Sequence, residues 1–104
     1  MEIPVRDHLD ALLLAVLAWG PAHGYAAIDE LRRRSGDAFD LPEGTVYPAL
    51  HRLERAGLLA SRWTSADGRR RRVYRLTRKG RGALARERRE WAGFAEAVEA
   101  VLLA

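Results

Sequence analysis

The sequence predicts a mainly α-helical fold with one small β-hairpin. Apolar residues recur every three or four positions over most of the 104 residues, which is the period of a helix. The spacing changes to alternation only between residues 58 and 76, and the pair Asp67-Gly68 interrupts that alternation. Together these observations predict three helices, a hairpin and a long last helix.

The first predicted helix runs from Leu9 to Trp19. Its main apolar face consists of Leu9, Leu12, Leu13, Val16 and Leu17, and Leu14 adds a second apolar strip. A helix that is apolar on two sides needs two packing partners. We expect these to be its own domain and either the last helix or a second subunit. Gly20-Pro21 ends the helix, because proline has no backbone N–H and disfavours helical geometry in the preceding residue.

The second predicted helix begins at Gly24 and ends at Arg34. Its spacing places Tyr25, Ile28 and Leu31 on the buried side. Arg32, Arg33 and Arg34 occupy its last turn, and two interpretations stay open for them. Cations are favoured at a helix C-terminus, and arginines also contact phosphate groups.

The third predicted helix lies within Glu43–Gly57 and carries the candidate binding face. Val46, Leu50 and Leu53 form its buried stripe, and Gly57 is a natural stop. Pro48 favours a start near Thr45, because a proline is tolerated only close to a helix N-terminus. The residues expected to face outward are Thr45, Tyr47, His51, Arg52 and Arg55. Two helices joined by a short turn, the second with an exposed polar face, form a helix-turn-helix, whose second helix enters the DNA major groove.

A hairpin is predicted next, with strands at residues 58–64 and 71–76 and a turn at residues 65–68. Arg69, Arg70, Arg71 and Arg72 lie at its tip and on its second strand. Four adjacent cations repel one another unless an anion is near, so this composition suits a minor groove or DNA phosphates. A hairpin after a helix-turn-helix makes the fold a winged helix-turn-helix. Trp63 on the first strand, like Trp19, is expected in the core.

The last predicted helix begins after Thr77, a good N-cap, and continues almost to the end of the chain. Its apolar residues approximate a heptad seam, which is expected to pack on the first helix and on a symmetric partner. The residues assigned to dimerisation are Leu9, Leu13, Leu84, Trp91, Val98 and Leu102. The chain therefore divides into a winged helix-turn-helix DNA-binding domain at residues 1–76 and a dimerisation helix at residues 77–104.

Charge is distributed unevenly along the chain. The segment Arg52–Arg89 holds 14 of the 18 basic residues and three of the 14 acidic ones, a net charge of +11. The rest of the chain carries −7, so the overall charge is +4. A solvated charged face is the ordinary explanation for a run of charge. Here the run crosses a helix, a hairpin and a second helix, which favours a polyanion such as double-stranded DNA.

Several classes of function are disfavoured. The chain has no cysteine, which excludes disulfides and thiolate metal sites. Its longest apolar run, Ala11–Trp19, is about half the ~20 residues that cross a bilayer, and the acidic residues within Met1–Asp10 argue against a secretory signal. We expect a soluble, cytoplasmic protein that contacts no membrane.

The three histidines offer little for catalysis. His8, His23 and His51 show no His-x-x-x-His spacing, and no nucleophile has an evident base. We therefore expect no enzymatic activity, no metal and no cofactor. His23 is assigned to the turn before the second helix, and His51 to a contact with DNA.

Five short segments carry a family resemblance. They are Leu13-Leu-Ala-Val-Leu, His23-Gly-Tyr, Gly44-Thr-Val-Tyr-Pro-Ala-Leu-His-Arg-Leu-Glu, Gly57-Leu-Leu and Tyr74-Arg-Leu-Thr-Arg-Lys-Gly. Spread over residues 9–82, they resemble the PadR family of bacterial transcriptional regulators, and the single C-terminal helix is similar to its smaller members. One departure is Leu41-Pro42-Glu43, since many relatives have serine before the Pro-Gly-Thr of this motif.

The resemblance implies a homodimeric repressor that binds a pseudo-palindromic operator and is released by a small hydrophobic molecule or a stress signal. The family's groove-reading positions fall on Thr45, Tyr47, Pro48, His51 and Arg52, and its wing contacts on Arg69–Arg72. In relatives that bind drugs, an aromatic residue of the last helix sandwiches flat molecules. Trp91 and Phe94 are the corresponding candidates here, unless they only fill the interface. The alternative function is a winged-helix interaction module that binds an acidic protein partner.

Overall fold

The computed structural model of the protein describes residues 5–104, and it confirms the predicted fold class. The expected absence of a secretory signal concerns Met1–Asp10, and residues 1–4 of that segment lie outside the described range. Four helices surround a small antiparallel sheet. The elements are α1 (Val5–Leu17), β1 (Ala22–His23), α2 (Gly24–Arg34), α3 (Glu43–Arg55), β2 (Leu59–Ala66), β3 (Arg69–Leu76) and α4 (Arg78–Leu102).

Strand β1 was not predicted from the sequence. It pairs antiparallel with β3, Ala22 opposite Tyr74 and His23 opposite Val73, and so gives a three-stranded sheet in the order β1-β3-β2. A strand of two residues is too short to show an alternating pattern, so the sequence does not predict β1. Because β1 reaches only Val73 and Tyr74, it leaves the outer edge of β3 unpaired over residues 69–72.

Helix α3 begins earlier than predicted. Its N-cap is Pro42, whose carbonyl oxygen accepts hydrogen bonds from the N–H groups of Thr45 (3.0 Å) and Val46 (3.1 Å). Pro48 therefore lies in the second turn, where it removes one helical hydrogen bond, and not within the first turn. The prediction of a start near Thr45 was wrong, because the buried stripe of α3 stabilises a helix that propensity alone disfavours.

The predicted end of α3 is confirmed. Gly57 has a φ of +79°, and the N–H of Leu58 bonds to the carbonyl of Leu53 at 3.0 Å. This is the Schellman arrangement, which only glycine adopts without strain at the left-handed position.

The hairpin turn also agrees with the sequence. Asp67 and Gly68 have φ angles of +53° and +74°, the two positive values that a two-residue hairpin turn requires. Both strands run two residues further toward this turn than predicted. The hairpin β2–β3 (Leu59–Leu76) is called the wing below.

The core lies where α1, α2, α3, the sheet and the start of α4 meet. Tyr74 is its largest fully buried side chain, and Val46 and Leu50 of α3 pack into it. Leu9, Leu13 and Leu84, which the sequence assigned to dimerisation, are buried in the same core. This corrects their assignment, because the chain's own side chains already cover them.

Trp19 and Tyr25, predicted to be buried, are exposed. The α-helix ends at Leu17, two residues before its predicted end, so Trp19 lies in the following turn with 77% of its surface accessible. The guanidinium of Arg34 stacks 4.4 Å from its ring centroid. Tyr25, in the first turn of α2, is 63% exposed because the inner side of that turn is filled by Gly24 and Ala27.

Helix α4 is buried in the core only near its N-terminus. The Oγ1 of Thr77 accepts a hydrogen bond from the N–H of Gly80 (3.0 Å), which confirms Thr77 as the N-cap. Gly80 and Leu84 are buried, whereas every residue beyond Leu84 is exposed or half-buried. Among residues 5–104, no helix is long and apolar enough to cross a membrane.

Candidate nucleic-acid interface

The outer face of α3 carries the residues that the sequence assigned to the DNA major groove. Pro48, His51 and Arg55 are exposed, and Thr45 is half-buried. Their neighbours Val46, Ala49, Leu50 and Leu53 are buried, so the helix divides into one packed and one accessible face. The accessible face offers an imidazole, a guanidinium and a hydroxyl to a ligand.

Tyr47 is packed more closely than predicted. A Cβ atom built on Gly24 would lie 2.6 Å from the Tyr47 Cζ, so only glycine at the start of α2 allows α3 to approach this closely. Burial, followed by the charge of Glu43 and by Tyr25, raises the pKa of the Tyr47 hydroxyl. The hydroxyl is therefore protonated at neutral pH and can donate a hydrogen bond.

Arg52 turns toward α1 and not directly outward. Its guanidinium forms an ion pair with the carboxylate of Asp10. Both side chains are about half exposed, so solvent screens the pair and its contribution to stability is at most about 1 kcal/mol. A DNA contact by Arg52 thus requires the loss or sharing of this partner. No sequence signal indicated the pair, because 42 positions separate the two residues.

The four arginines of the wing differ in their surroundings. Arg69, Arg70 and Arg71 are exposed. Arg72 is half-buried, and its Nη2 lies 3.1 Å from a carboxylate oxygen of Glu54 on α3. Its Nε also donates to the Oγ of Ser61 at 2.6 Å. Arg72 therefore links the wing to α3 through Glu54, and a phosphate contact by Arg72 would require it to exchange or share this partner.

Trp63, predicted to be buried, is 55% exposed on the wing. Strand β2 is buried at Leu59 and becomes largely exposed from Arg62 toward the turn, so this ring stays accessible. The guanidinium groups of Arg70 and Arg72 lie 4.9 and 5.6 Å from the ring centroid, within the range of a cation–π interaction. The indole thus helps to hold two adjacent cations on one side of the strand.

The wing, α2 and α3 enclose an open cavity of about 580 Å³, called the arginine cavity below. None of its lining residues is acidic. The lining consists of His23, Gly24, Tyr25, Tyr47, Trp63, Arg69, Arg70, Arg71 and Arg72. A concave surface that combines aromatic rings and guanidinium groups suits a polyanion that carries both planar rings and phosphates. The planar rings can stack on the aromatic side chains, and the phosphates can pair with the guanidinium groups.

His23 at the rim of this cavity was predicted only as a turn residue. It is the N-cap of α2, and its Nδ1 accepts a hydrogen bond from the N–H of Ala26 at 3.2 Å. Its Nε2 lies 2.9 Å from the Nη1 of Arg71. Burial, and then the charge of Arg71, lower the pKa of the imidazole. The sequence could not indicate the contact with Arg71, because it depends on the unpredicted pairing of β1 with β3.

The three arginines at the end of α2 are paired with acidic side chains of the same chain, a role that neither of their two predicted interpretations included. Arg32 pairs with Asp29 (2.9 Å) and Asp37 (2.6 Å), and both Arg33 and Arg34 pair with Glu30. Their charges are balanced within the chain, which leaves them no special role at the arginine cavity.

A second exposed surface lies on α4. Trp91 and Phe94 are 55% and 61% exposed, with ring centroids 6.0 Å apart, and the His8 ring of α1 meets Trp91 edge-on at 5.4 Å. Val98 is half-buried and Leu102 is 73% exposed. This apolar surface, called the α4 face below, consists of Trp91, Phe94, Val98, Val101 and Leu102. Within the described part of the chain, no group of three His, Cys, Asp or Glu side chains is placed to hold a metal ion.

Comparisons with known proteins match the region that contains α3 and the wing. The sequence model of the transcriptional regulator PadR-like family matches residues 13–86. Over 67 residues the chain is 49% identical to a transcriptional regulator of Mycobacterium tuberculosis, a match that covers 64% of this chain and 60% of that protein.

Solved structures with the same architecture extend the match to nearly the whole chain. A PadR family transcriptional regulator of Eggerthella lenta is 33% identical with a TM-score of 0.82, and the match covers 93% of this chain and 83% of that one. A PadR family transcription regulator of Clostridium difficile is 31% identical with a TM-score of 0.77, covering 93% and 99%. The likeness therefore includes α4 as well as the winged helix-turn-helix.

Proposed function

Since the chain belongs to the PadR-like family of transcriptional regulators, we propose that it is a homodimeric repressor that binds a pseudo-palindromic DNA operator. Proteins of this family act as regulators of transcription and not as enzymes. The observation that carries the proposal is the arginine cavity, where Tyr47 of α3 and the wing arginines border one concave surface without a carboxylate. Such a surface attracts a phosphate backbone while α3 faces the bases.

The roles of the individual residues follow from their exposure. Thr45, Tyr47, Pro48 and His51, with Arg55, form the surface of α3 that would enter the major groove. Arg69, Arg70 and Arg71 would contact phosphates or the minor groove, as would Arg52 once it exchanges its partner Asp10. The link from Arg72 to Glu54 would keep the wing at a fixed angle to α3.

Dimerisation would use the α4 face. A row of exposed apolar side chains along one side of a helix is unfavourable in water and is typical of a subunit interface. A pseudo-palindromic operator requires a two-fold symmetric protein, and two antiparallel or crossed copies of α4 would provide that symmetry. In this proposal residues 1–76 bind DNA and residues 77–104 form the dimerisation helix.

Release from DNA by a small hydrophobic ligand would also act through the α4 face. Trp91 and Phe94 are accessible neighbours whose ring planes are inclined by 44°, so a flat aromatic molecule could stack on one ring and contact the edge of the other. We expect planar aromatic cations to quench tryptophan fluorescence in the parent protein and much less in a Trp91→Ala variant. Equal quenching in both would show that Trp19 or Trp63 binds the dye and that Trp91 serves only in packing.

The proposed use of the wing predicts a particular salt dependence. Replacing Arg70 and Arg71 by alanine is expected to weaken DNA binding and to reduce the slope of log affinity against log salt by about two per protomer, about one for each lost phosphate contact. A gel-shift or anisotropy titration at several salt concentrations measures this slope.

The matched control replaces Arg86 and Arg88 of α4 by alanine. Both arginines are also exposed, so this variant loses the same charge at a distance from the wing. An equal loss of slope in both variants would mean that only net charge matters. If the parent binds an acidic protein but no duplex DNA, the chain is an interaction module and the repressor proposal fails.

A further inference from the structure

Two segments that are distant in the sequence, His23-Gly-Tyr and Gly44-Thr-Val-Tyr-Pro, meet where α2 and α3 pack together. Gly24 begins α2 and is buried, and the ring of Tyr47 lies directly against it. A Cβ atom built on Gly24 would lie 2.6 Å from the Cε1 and Cζ atoms of Tyr47 and 2.8 Å from its hydroxyl oxygen. The far end of the tyrosine side chain therefore rests on the backbone of α2.

The position of the Tyr47 ring depends on what it meets on α2. The backbone of α3 is fixed beside it, because Val46 and Leu50 are completely buried in the core. The ring itself is half-buried and lines the arginine cavity, so it can move on that side. Carbon atoms in contact normally lie about 3.5–4.0 Å apart. Any side chain at Gly24 would thus displace the ring by about 1 Å or more.

The Tyr47 hydroxyl is the group that such a displacement would affect most. Burial is the main reason that the pKa of this hydroxyl is raised, so at neutral pH it keeps its proton and can donate a hydrogen bond. Hydrogen bonds from a hydroxyl require about 2.5–3.0 Å between the two oxygen atoms. A shift of about 1 Å exceeds this range, so a bond to an acceptor at a fixed position would be lost.

We propose that Gly24 is a positioning residue for DNA recognition, which lets the Tyr47 ring lie against α2 and so aims its hydroxyl at one acceptor on a base edge of the operator. The inference rests on the proposed DNA-binding function and deepens it, since Gly24 has no side chain with which to contact DNA. Phosphate contacts by the wing do not depend on this ring. A displaced Tyr47 should therefore impair the recognition of sequence and not the general attraction to DNA.

Gly24→Ala is expected to fold. The added Cβ would meet the end of a side chain that can turn about two bonds, and not a backbone atom as at Gly80. Alanine is also favoured over glycine within a helix, which offsets part of the cost of moving the ring. Circular dichroism and urea unfolding check that the variant retains its structure.

The first test concerns the ring itself and needs no DNA. Nuclear magnetic resonance of ¹³C-labelled tyrosine follows the deprotonation of each ring, and the spectrum of Tyr47→Phe identifies the signal of Tyr47. In Gly24→Ala the pKa of Tyr47 should fall toward the ordinary tyrosine value of about 10, because the displaced ring is less buried. An unchanged pKa and chemical shift of Tyr47 would mean that Gly24 does not hold the ring, and the inference would be wrong.

The second test compares two labelled duplexes by fluorescence anisotropy. One is the duplex that the parent protein enriches from a pool of random sequences, and the other is an unselected random duplex. Gly24→Ala should lose about three- to tenfold in affinity per protomer for the enriched duplex, the range of one hydrogen bond between neutral groups. Its affinity for the random duplex and the salt slope of that binding should stay unchanged. An equal loss on both duplexes would indicate a general structural defect and overturn the inference.

Gly82→Ala is the matched control, because Gly82 is an exposed helical glycine with no atom within 4 Å of an added Cβ. It should bind both duplexes as the parent does. Tyr47→Phe keeps the ring without the hydroxyl and should lose as much affinity for the enriched duplex as Gly24→Ala.

Combining Gly24→Ala with Tyr47→Phe shows whether the glycine acts through the tyrosine. The double variant should bind the enriched duplex no more weakly than Tyr47→Phe alone, because both changes remove the same hydrogen bond. If the two losses add in full, Gly24 acts through another group and the inference is wrong, while the proposed function stands. If the parent enriches no duplex from the pool, the proposed function fails and the inference fails with it.

Discussion

Replacing Gly80 by alanine is expected to destabilise the fold by about 2–3 kcal/mol, the upper part of the range of about 1–3 kcal/mol for forcing extra atoms into a packed site. Gly80 lies in the first turn of α4, where that helix crosses the segment after α3. A Cβ at this position would lie 2.1 Å from the carbonyl oxygen of Leu58 and 2.7 Å from the Leu76 Cδ1. The first of these is a backbone atom that cannot rotate away, so α4 itself must shift. Urea unfolding followed by circular dichroism measures the loss.

Gly82→Ala is the matched control for this prediction. Gly82 lies in the same helix two residues later, is exposed, and has no atom within 4 Å of an added Cβ. Alanine there should stabilise the protein by about 0.5–1 kcal/mol, because glycine loses more backbone entropy in a helix. Both variants are compared at one protomer concentration, since the proposed dimerisation would contribute to stability. Equal effects of the two substitutions would refute the close approach of α4 to Leu58.

The second large effect is expected on the α4 face. Introducing glutamate at both Trp91 and Phe94 should convert the proposed dimer to monomers, because two unpaired carboxylates per subunit would be buried in an apolar interface. Affinity for a two-half-site operator should fall about a hundredfold or more, since each half would then bind separately. Analytical ultracentrifugation and anisotropy measure the two consequences.

Ala100→Glu provides the comparison for the double variant. Ala100 is exposed on the same helix, half a turn away from the α4 face, so an added charge there should leave the oligomeric state unchanged. Should the Trp91 and Phe94 variant remain dimeric with unchanged affinity, the interface lies elsewhere. Circular dichroism checks that the variant with glutamate at Trp91 and Phe94 is folded, which is expected because both side chains are exposed.

The order of helices and strands could be predicted from the sequence because each element carries its own periodicity and end signals. Thr77, Gly57 and Asp67-Gly68 act within a few residues of themselves, and all three behave as predicted. Strand β1 has only two residues and no period, so it was missed. The start of α3 was misplaced, because the propensity of Pro48 is overridden by tertiary packing.

The candidate site was predictable in its composition but not in its contacts. The outward residues of α3 and the arginines of the wing were evident from spacing and charge. The pairing of Arg52 with Asp10, of Arg72 with Glu54 and of Arg71 with His23 joins positions that are 18 to 48 residues apart, which periodicity does not address. The exposure of Trp19, Tyr25 and Trp63 was misjudged for a related reason. A large aromatic residue is usually buried, and only the shape of the fold decides which ones a helix fails to cover.

The central claim is that two copies of α3 read a symmetric operator. Its most direct test is the selection of binding sequences from a pool of random duplexes. We predict enrichment of an inverted repeat whose half-site centres are about 34 Å apart or a multiple of this distance, one turn of DNA per step. A Tyr47→Ala variant should lose the preference for this repeat over random DNA while retaining binding that depends on salt. Enrichment of no sequence, or of a single half-site without symmetry, would contradict the account.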